Sequence, residues 1–267
     1  MLFDHVTIRV PDRAASERFF DTVLAPLGID TSYRTRDFTE WQEFMLAQAT
    51  DSQPATRGLH IAFVGPSREQ VDAFWQAGID AGYGDDGPPG PRPQYHKDYY
   101  GGFLRDPSGN SIEAVHYKAP RHRDRIVDHL WIRVSDLGGS RRFYELVGEA
   151  AGFEPRSGEQ AHRATFGRVD GEPSFTLVPG PATENLHIAF PGDDDAVRRF
   201  HDDAFAAGYR SNGGPGERPR YHPGYYAAYV LDPDGNNIEI VNHHRTEDSL
   251  SPCPCRRACR RPCRPCP

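Results

Sequence analysis

Phe3-Asp4-His5-Val6-Thr7-Ile8-Arg9-Val10 returns later in the chain as Val127-Asp128-His129-Leu130-Trp131-Ile132-Arg133-Val134. In the first stretch Val6, Ile8 and Val10 alternate with His5, Thr7 and Arg9. That period of two marks a half-buried strand with its polar side turned from the core. Three further blocks repeat in the same order. Leu59-His60-Ile61-Ala62-Phe63 returns as Leu186-His187-Ile188-Ala189-Phe190. Arg92-Pro93-Gln94-Tyr95-His96 returns as Arg218-Pro219-Arg220-Tyr221-His222, each followed by a tyrosine pair. Asp106-Pro107-Ser108-Gly109-Asn110-Ser111-Ile112-Glu113 returns as Asp232-Pro233-Asp234-Gly235-Asn236-Asn237-Ile238-Glu239. The offsets are 124, 127, 126 and 126 residues, so the chain is a tandem duplication.

Each copy reads as strand, helix and strands, written twice. Asp12 is the expected N-cap of a helix carrying Ala15, Phe19, Phe20 and Val23, which ends near Gly28. Strands are expected at 33–36, 41–47 and 60–64. A second helix from Ser67 turns Val71, Phe74 and Trp75 inward and stops near Gly82. Residues 84–93 read as a glycine- and proline-rich loop. The last two strands, 99–105 and 110–117, form a hairpin through Asp106-Pro107-Ser108-Gly109, a type I turn signature. The expected fold class is α+β: paired βαβββ modules form curved mixed sheets with helices outside, leaving open cups. The expected domains are 1–118 and 126–245, joined by a polar linker at 119–125 and followed by a tail at 246–267.

The whole chain of 267 residues carries a formal charge of -7, which argues against a nucleic-acid footprint. No apolar run approaches the ~20 residues of a membrane span. The start lacks a signal peptide's basic head and apolar run. A cytoplasmic protein is the simplest expectation. All five cysteines lie between Cys253 and Cys266, in a segment with five arginines and no acid. Their spacing lacks the paired CxxC pattern of a zinc knuckle, so the segment reads as a disordered tail.

Chemistry concentrates on the polar strand faces. His5 lies opposite Val6, Ile8 and Val10. Glu113 lies opposite Ile112, and Glu239 opposite Ile238 and Ile240. A mid-strand carboxylate among Ile, Ala and Val is costly unless paired, hydrated or bound to metal. Each copy thus has a histidine on its first strand (His5, His129), a histidine on its fourth (His60, His187) and a glutamate on its last. Two histidines and one carboxylate leave open positions on a divalent ion, suiting Fe(II) oxygen chemistry or Mn, Ni or Zn as Lewis acids. The competing reading is that the histidines satisfy one another in a metal-free cup. Arg9 and Arg133 share the cup face, and a salt bridge such as Arg9 to Glu113 is expected over an anion-binding role. Asp4 and Asp128 are expected on the opposite face as structural residues. Asn110 and Asn236 read as turn residues. His116, His122, His162, His201, His243 and His244 lack fully matched partners in the other copy and receive no role.

The strand-borne His, His and Glu with the DPxGNxIE hairpin resemble the vicinal oxygen chelate superfamily of glyoxalases, bleomycin-resistance proteins and extradiol dioxygenases, over about residues 3–243. The resemblance implies a cup around a metal that binds substrate through two adjacent oxygens. It implies His5, His60 and Glu113 as one ligand set and His129, His187 and Glu239 as the other. The extradiol signature adds a histidine and a tyrosine ahead of the DP turn, matched by His222 and Tyr229. The first copy has His96 but Phe103 in place of the tyrosine. His96 and His222 are thereby candidate acid–base groups. Glyoxalase I typically uses two glutamates and two histidines or glutamines, a pattern His60 and His187 fit poorly. The resemblance leaves two classes. One is a metal-dependent lyase, isomerase or dioxygenase acting on a small-molecule substrate. The other is a metal-free protein that sequesters a small ligand. Either a monomer or a homodimer is compatible with a tandem chain.

Overall fold

The computed structural model describes residues 1–117, 125–156, 162–168 and 173–244. The expected tail, most of the linker and residue 245 lie outside these. The chain runs through four modules. The first comprises β1 (His5–Val10), α1 (Arg13–Leu24), β2 (Tyr33–Arg34), β3 (Phe38–Trp41) and β4 (Phe44–Gln48). The second comprises β5 (His60–Val64), α2 (Arg68–Asp80), β6 (Gly84–Pro91), β7 (Tyr100–Arg105) and β8 (Ser111–His116). The third comprises β9 (Val127–Val134), α3 (Leu137–Ala151), β10 (Glu154–Pro155), β11 (Ala164–Gly167) and β12 (Ser174–Pro179). The fourth comprises β13 (His187–Pro191), α4 (Asp194–Ala206), β14 (Ser211–Glu217), β15 (Tyr226–Leu231) and β16 (Asn237–Asn242).

The modules combine across the duplication. One mixed sheet has the order β14-β15-β16-β13-β1-β4-β3-β2, the other β10-β11-β12-β9-β5-β8-β7-β6. The first module therefore shares a sheet with the fourth, and the second with the third. The joins are antiparallel: β1 pairs with β13 and β5 with β9. The two sequence copies are thus not two separate sheet units. Buried polar contacts hold the joins. Thr56 donates to the Asn185 carbonyl at 2.9 Å and Asn185 donates back to the Ala55 carbonyl at 3.0 Å. Glu43 Oε1 accepts the amides of Ile126 (2.8 Å) and Val127 (2.9 Å), fixing the start of β9 to the first copy.

Local signals explain most elements. Asp12, Ser67, Asp136 and Asp193 cap the four helices by accepting backbone amides of the first turn. Val6, Ile8 and Val10 are fully buried, and one hydrophobic core runs through both sheets. Phe20 of α1 packs on Phe44 of β4 at 4.8 Å, and Phe44 on Phe63 of β5 at 5.2 Å, which joins neighbouring modules. Two expectations need correction. The stretch 41–47 is not one strand, because Gln42 takes φ 52° and turns the chain between β3 and β4. No glycine marks that turn. Residues 84–91 form β6 rather than a loop. β6 lies at a sheet edge, with register shifts around Gly87, where prolines without an amide hydrogen cost little.

Candidate metal centres

The joins decide which histidines meet. On the first sheet Ala189 of β13 lies between His5 of β1 and Glu239 of β16 in register. On the second sheet Ala62 lies between His129 and Glu113. Both alanines are fully buried, and their small side chains leave a gap in the row. His187 and His60, two residues before each alanine on the same strand face, project toward that gap. Centre 1 is thus His5, His187 and Glu239, and centre 2 is His60, Glu113 and His129. The grouping by sequence copy is corrected: His5 and His129 exchange places, because β1 abuts β13 and not β5.

In centre 1 His5 Nε2 is 3.1 Å from His187 Nε2, and Glu239 Oε2 is 3.1 Å from His187 Nε2 and 3.8 Å from His5 Nε2. In centre 2 Glu113 Oε2 lies 3.0 Å from His60 Nε2 and 3.5 Å from His129 Nε2. The outer faces of the rings are tied down. His5 Nδ1 donates to Asp4 at 2.9 Å and His129 Nδ1 to Asp128 at 2.8 Å. The hydroxyl of Ser111 donates to Asp86 at 2.6 Å, so its lone pair is left to accept from His60 Nδ1 at 2.9 Å. His187 Nδ1 lies 2.8 Å from the Asn237 side-chain amide nitrogen and 3.0 Å from the Asn237 carbonyl. Each centre turns two Nε2 atoms and a carboxylate oxygen on one point. A divalent cation there would satisfy all three. Donors about 2.1 Å from one ion stand roughly 3 Å apart at right angles and about 3.4 Å apart in a tetrahedron; the separations of 3.0 to 3.5 Å fall in that range, and the 3.8 Å from His5 to Glu239 exceeds it.

The glutamates are held from the other side. Tyr99 donates to Glu113 Oε1 at 2.5 Å, and Tyr225 to Glu239 Oε1 at 2.7 Å. Burial works to raise both glutamates, but the histidine hydrogen bonds and charges outweigh it and hold them below the usual carboxylate range. Burial likewise opposes a charge on His129, yet hydrogen bonds to Asp128 and Glu113 push it up to about 9. Burial and the neighbouring glutamates push Tyr99 and Tyr225 far above the ordinary phenol, so both remain donors.

Asp4 and Asp128 thus do not point away from the histidines, as strand alternation suggested. Asp4 precedes the first residue of β1, and Asp128 sits at a register shift between β9 and β5, so neither obeys a regular strand's alternation. Asn110 and Asn236 do more than turn the chain. Asn110 Oδ1 accepts the Leu59 amide at 3.2 Å, and Asn236 Oδ1 accepts the Leu186 amide at 2.9 Å. The DPxGN turn therefore locks β8 to β5 and β16 to β13, one residue before each second histidine. The expected Arg9 salt bridge to Glu113 is absent. Arg9 is half-buried with no ion pair among the described residues, and burial lowers it. Arg133 instead donates to the Gly58 carbonyl at 3.4 Å.

Of the acid–base candidates, His222 has both ring nitrogens engaged, Nδ1 with the Pro223 carbonyl and Nε2 with His243, each at 2.8 Å. His96 Nδ1 accepts the Asp98 amide at 3.2 Å, and its ring stands 5.8 Å from that of Tyr117. Tyr229 is cross-strand to Glu239, its ring 6.4 Å from His187, and its buried hydroxyl meets no hydrogen-bond partner. Phe103 holds that place in centre 2, 6.0 Å from His60. His243, without a matched partner in the first copy, connects His222 to Asp4.

A family model described as the Glyoxalase/Bleomycin resistance protein/Dioxygenase superfamily matches residues 2–114. A glyoxalase/bleomycin resistance protein from Albidiferax ferrireducens T118 is 36% identical over 43% of this chain and 98% of its own, with a TM-score of 0.39. The chain belongs to the Glyoxalase/Bleomycin resistance protein/Dioxygenase superfamily. A second superfamily fold, glyoxalase I from Zea mays, covers both copies: 19% identity, 91% of this chain and 92% of that one, TM-score 0.66. No curated protein matches the chain. No helix among the described residues is long and apolar enough to cross a membrane.

Proposed function

We propose that this superfamily member is a metal-dependent enzyme acting on a small molecule held through two adjacent oxygens, with centre 1 the reactive one. The observation that carries this reading is the convergence of two Nε2 atoms and one carboxylate oxygen on a point, with every other polar atom of those side chains already satisfied. His5, His187 and Glu239 would hold a divalent ion such as Fe, Mn, Ni or Zn, and His60, His129 and Glu113 a second. Such an ion supplies Lewis acidity and open positions for two substrate oxygens. Among the described residues each centre gathers three ligand atoms, with Met45 of β4 beside Thr7 and Thr176 of β12 beside Trp131. Three ligands rather than four favour the extradiol pattern over that of glyoxalase I.

The chain's own groups divide the remaining work. Tyr229, whose hydroxyl is buried and unpartnered beside Glu239, donates a hydrogen bond to a substrate oxygen. Its phenol is raised by burial and by Glu239, so it keeps its proton. Arg9, on the same strand face as His5 and without an ion pair among the described residues, offers a guanidinium to an anionic substituent. Tyr225 and Asp4 hold Glu239 and His5 in place. The test is elemental analysis of untagged protein purified without chelator, then anaerobic loading with Fe(II). One to two equivalents of metal, and oxygen uptake with catechols lost in Tyr229→Phe, are expected. No metal after loading overturns the reading in favour of a metal-free binding protein.

A further inference from the structure

Three residues of each copy's first strand face a cup: His5, Thr7 and Arg9 on β1, and His129, Trp131 and Arg133 on β9. Their neighbours on the opposite face, Val6, Ile8 and Val10 or Leu130, Ile132 and Val134, are fully buried. The two arginines differ in what they do. Arg133 is exposed and lies down along its own sheet. Its stem passes 3.4 Å from where a side chain on Gly180 would begin, and its Nη1 donates to the Gly58 carbonyl at 3.4 Å. Ala49 and Asn185 hold the matching places beside Arg9, as the amide bonds of Ala49 to Val10 and Gly180 to Val134 show for the first. Asn185 shares the left-handed backbone of Gly58, φ 57° against 71°, but adds a side chain that donates to the Ala55 carbonyl. Arg9 is half-buried and makes no side-chain hydrogen bond or ion pair among the described residues, with the Tyr221 phenol within electrostatic reach. A guanidinium so placed is partly desolvated without compensation, a cost that an anionic ligand offsets. The middle residues differ too. Thr7 and Trp131 stand across from His187 and His60 in register. The step from centre to arginine is thus a small side chain in one cup. In the other it is an indole, 6.2 Å from the His60 ring and 6.0 Å from Tyr95.

We propose that the ligand of centre 1 is a carboxylic acid with vicinal oxygens at its far end, that Arg9 receives its carboxylate, and that centre 2 does not take it. Residues two apart on a strand face are roughly 7 Å apart, so Arg9 stands about 13 Å from His5 at the backbone. A side chain leaning back over Thr7 shortens that gap to the length of one ring and a short arm, the shape of a dihydroxyphenylalkanoate. Arginine matches a carboxylate with two parallel N–H donors, which fixes the ligand's orientation as well as its charge. The rim of the cup has the same sign. Arg220 donates to the Tyr221 hydroxyl at 2.8 Å and lies over its ring at 4.7 Å. Gln94 holds the place of Arg220 beside centre 2, so that rim has one cation fewer. Arg9 is the residue that sets specificity, and Trp131 with the Gly58 carbonyl denies the same role to Arg133.

The vicinal-oxygen end of this ligand rests on the metal reading above, and the carboxylate end does not. The full chain, loaded with Zn(II) or stripped by chelator, is titrated anaerobically in a calorimeter with dihydrocaffeate and with ethylcatechol, the same molecule without its carboxylate. One equivalent of dihydrocaffeate is expected on the zinc-loaded chain, bound about tenfold more tightly than ethylcatechol. Arg9→Gln abolishes that preference, Arg9→Lys keeps part of it, and Arg133→Gln leaves it unchanged. Gly58→Asn with Trp131→Thr, which gives the second cup the residues of the first at a backbone position that asparagine already adopts, gains a second equivalent. Equal binding of the two ligands, or a preference that survives Arg9→Gln, overturns the carboxylate site and leaves the metal reading standing. Two equivalents in the wild type, or one in the double variant, overturn the account of centre 2. Dihydrocaffeate binding that needs Arg9 but is the same without zinc supports the carboxylate site and overturns the metal reading. No binding of either ligand overturns both.

Discussion

Centre 1 and centre 2 present the same three candidate ligands but stand in different surroundings. Behind His5 is Asp4 with His243 attached, and behind His129 is Asp128. Across from His187 is Thr7, while Trp131 stands across from His60 in the same register. Tyr229 flanks the first centre and Phe103 the second. His60 leans on a chain from Ser111 to Asp86 to Arg105, whereas His187 leans on Asn237. Centre 2 is thus walled by Tyr95, Trp131 and Phe103, and centre 1 keeps a spare hydroxyl and the stacked His222–His243 pair. Ligand placement follows from strand register and the small Ala62 and Ala189, which a duplication copies intact. The rings and charges around the ligands are single substitutions, free to diverge once the register is set.

The pairing across copies is the first point to attack. His5→Ala with His60→Ala strikes both centres, and elemental analysis should find no tightly held metal. His5→Ala with His187→Ala strikes centre 1 alone and should retain one equivalent. Equal metal content in the two double variants would refute the assignment. A smaller effect separates the centres by their scaffolding. Glu43→Ala strands the buried amides of Ile126 and Val127, a loss of about 3 kcal/mol in urea unfolding. Because it frees the start of β9, it should lower metal occupancy at centre 2 more than at centre 1. Asn236→Ala strands the Leu186 amide and should cost about 2 kcal/mol, with centre 1 affected first. Asn110→Ala is its mirror image for centre 2, and a reversed preference would break the link between turn and ligand. The gentlest probe is Tyr225→Phe against Tyr99→Phe. Each removes one hydrogen bond to a ligating carboxylate and should weaken only its own centre, by about tenfold in metal titration.

Much of this was legible in the sequence. The repeat gave the module count, and alternation put His5, His129, Glu113 and Glu239 on the open faces. The partnership of strands was not legible, because β1 and β5 carry the same kind of pattern, and nothing local says which the other will join. His60 and His187 sit in strands apolar on both faces, so periodicity could not orient them. Asp4 and Asp128 were misplaced because alternation fails at a strand's first residue and at a bulge. Asn110 and Asn236 looked like ordinary turn residues, since the amides they receive are some fifty positions away. His243 was overlooked because a search for repeats discards whatever one copy holds alone. Ala62 and Ala189 were visible in the repeated LHIAF, where a small residue between larger ones marks the space beside the histidine.

The exchange of strands between copies has an evolutionary side. Each half of the gene encodes two candidate ligands of one centre and a single candidate ligand of the other, so neither half can decay without damaging both. A duplicated enzyme usually escapes constraint by letting one copy drift. Here drift is confined to what surrounds the ligands, where Tyr229 against Phe103 and His243 against Tyr117 already differ. The same arrangement hints at ancestry: a lone half could have completed its centres only by exchanging strands with an identical partner, and fusion would have made that exchange internal.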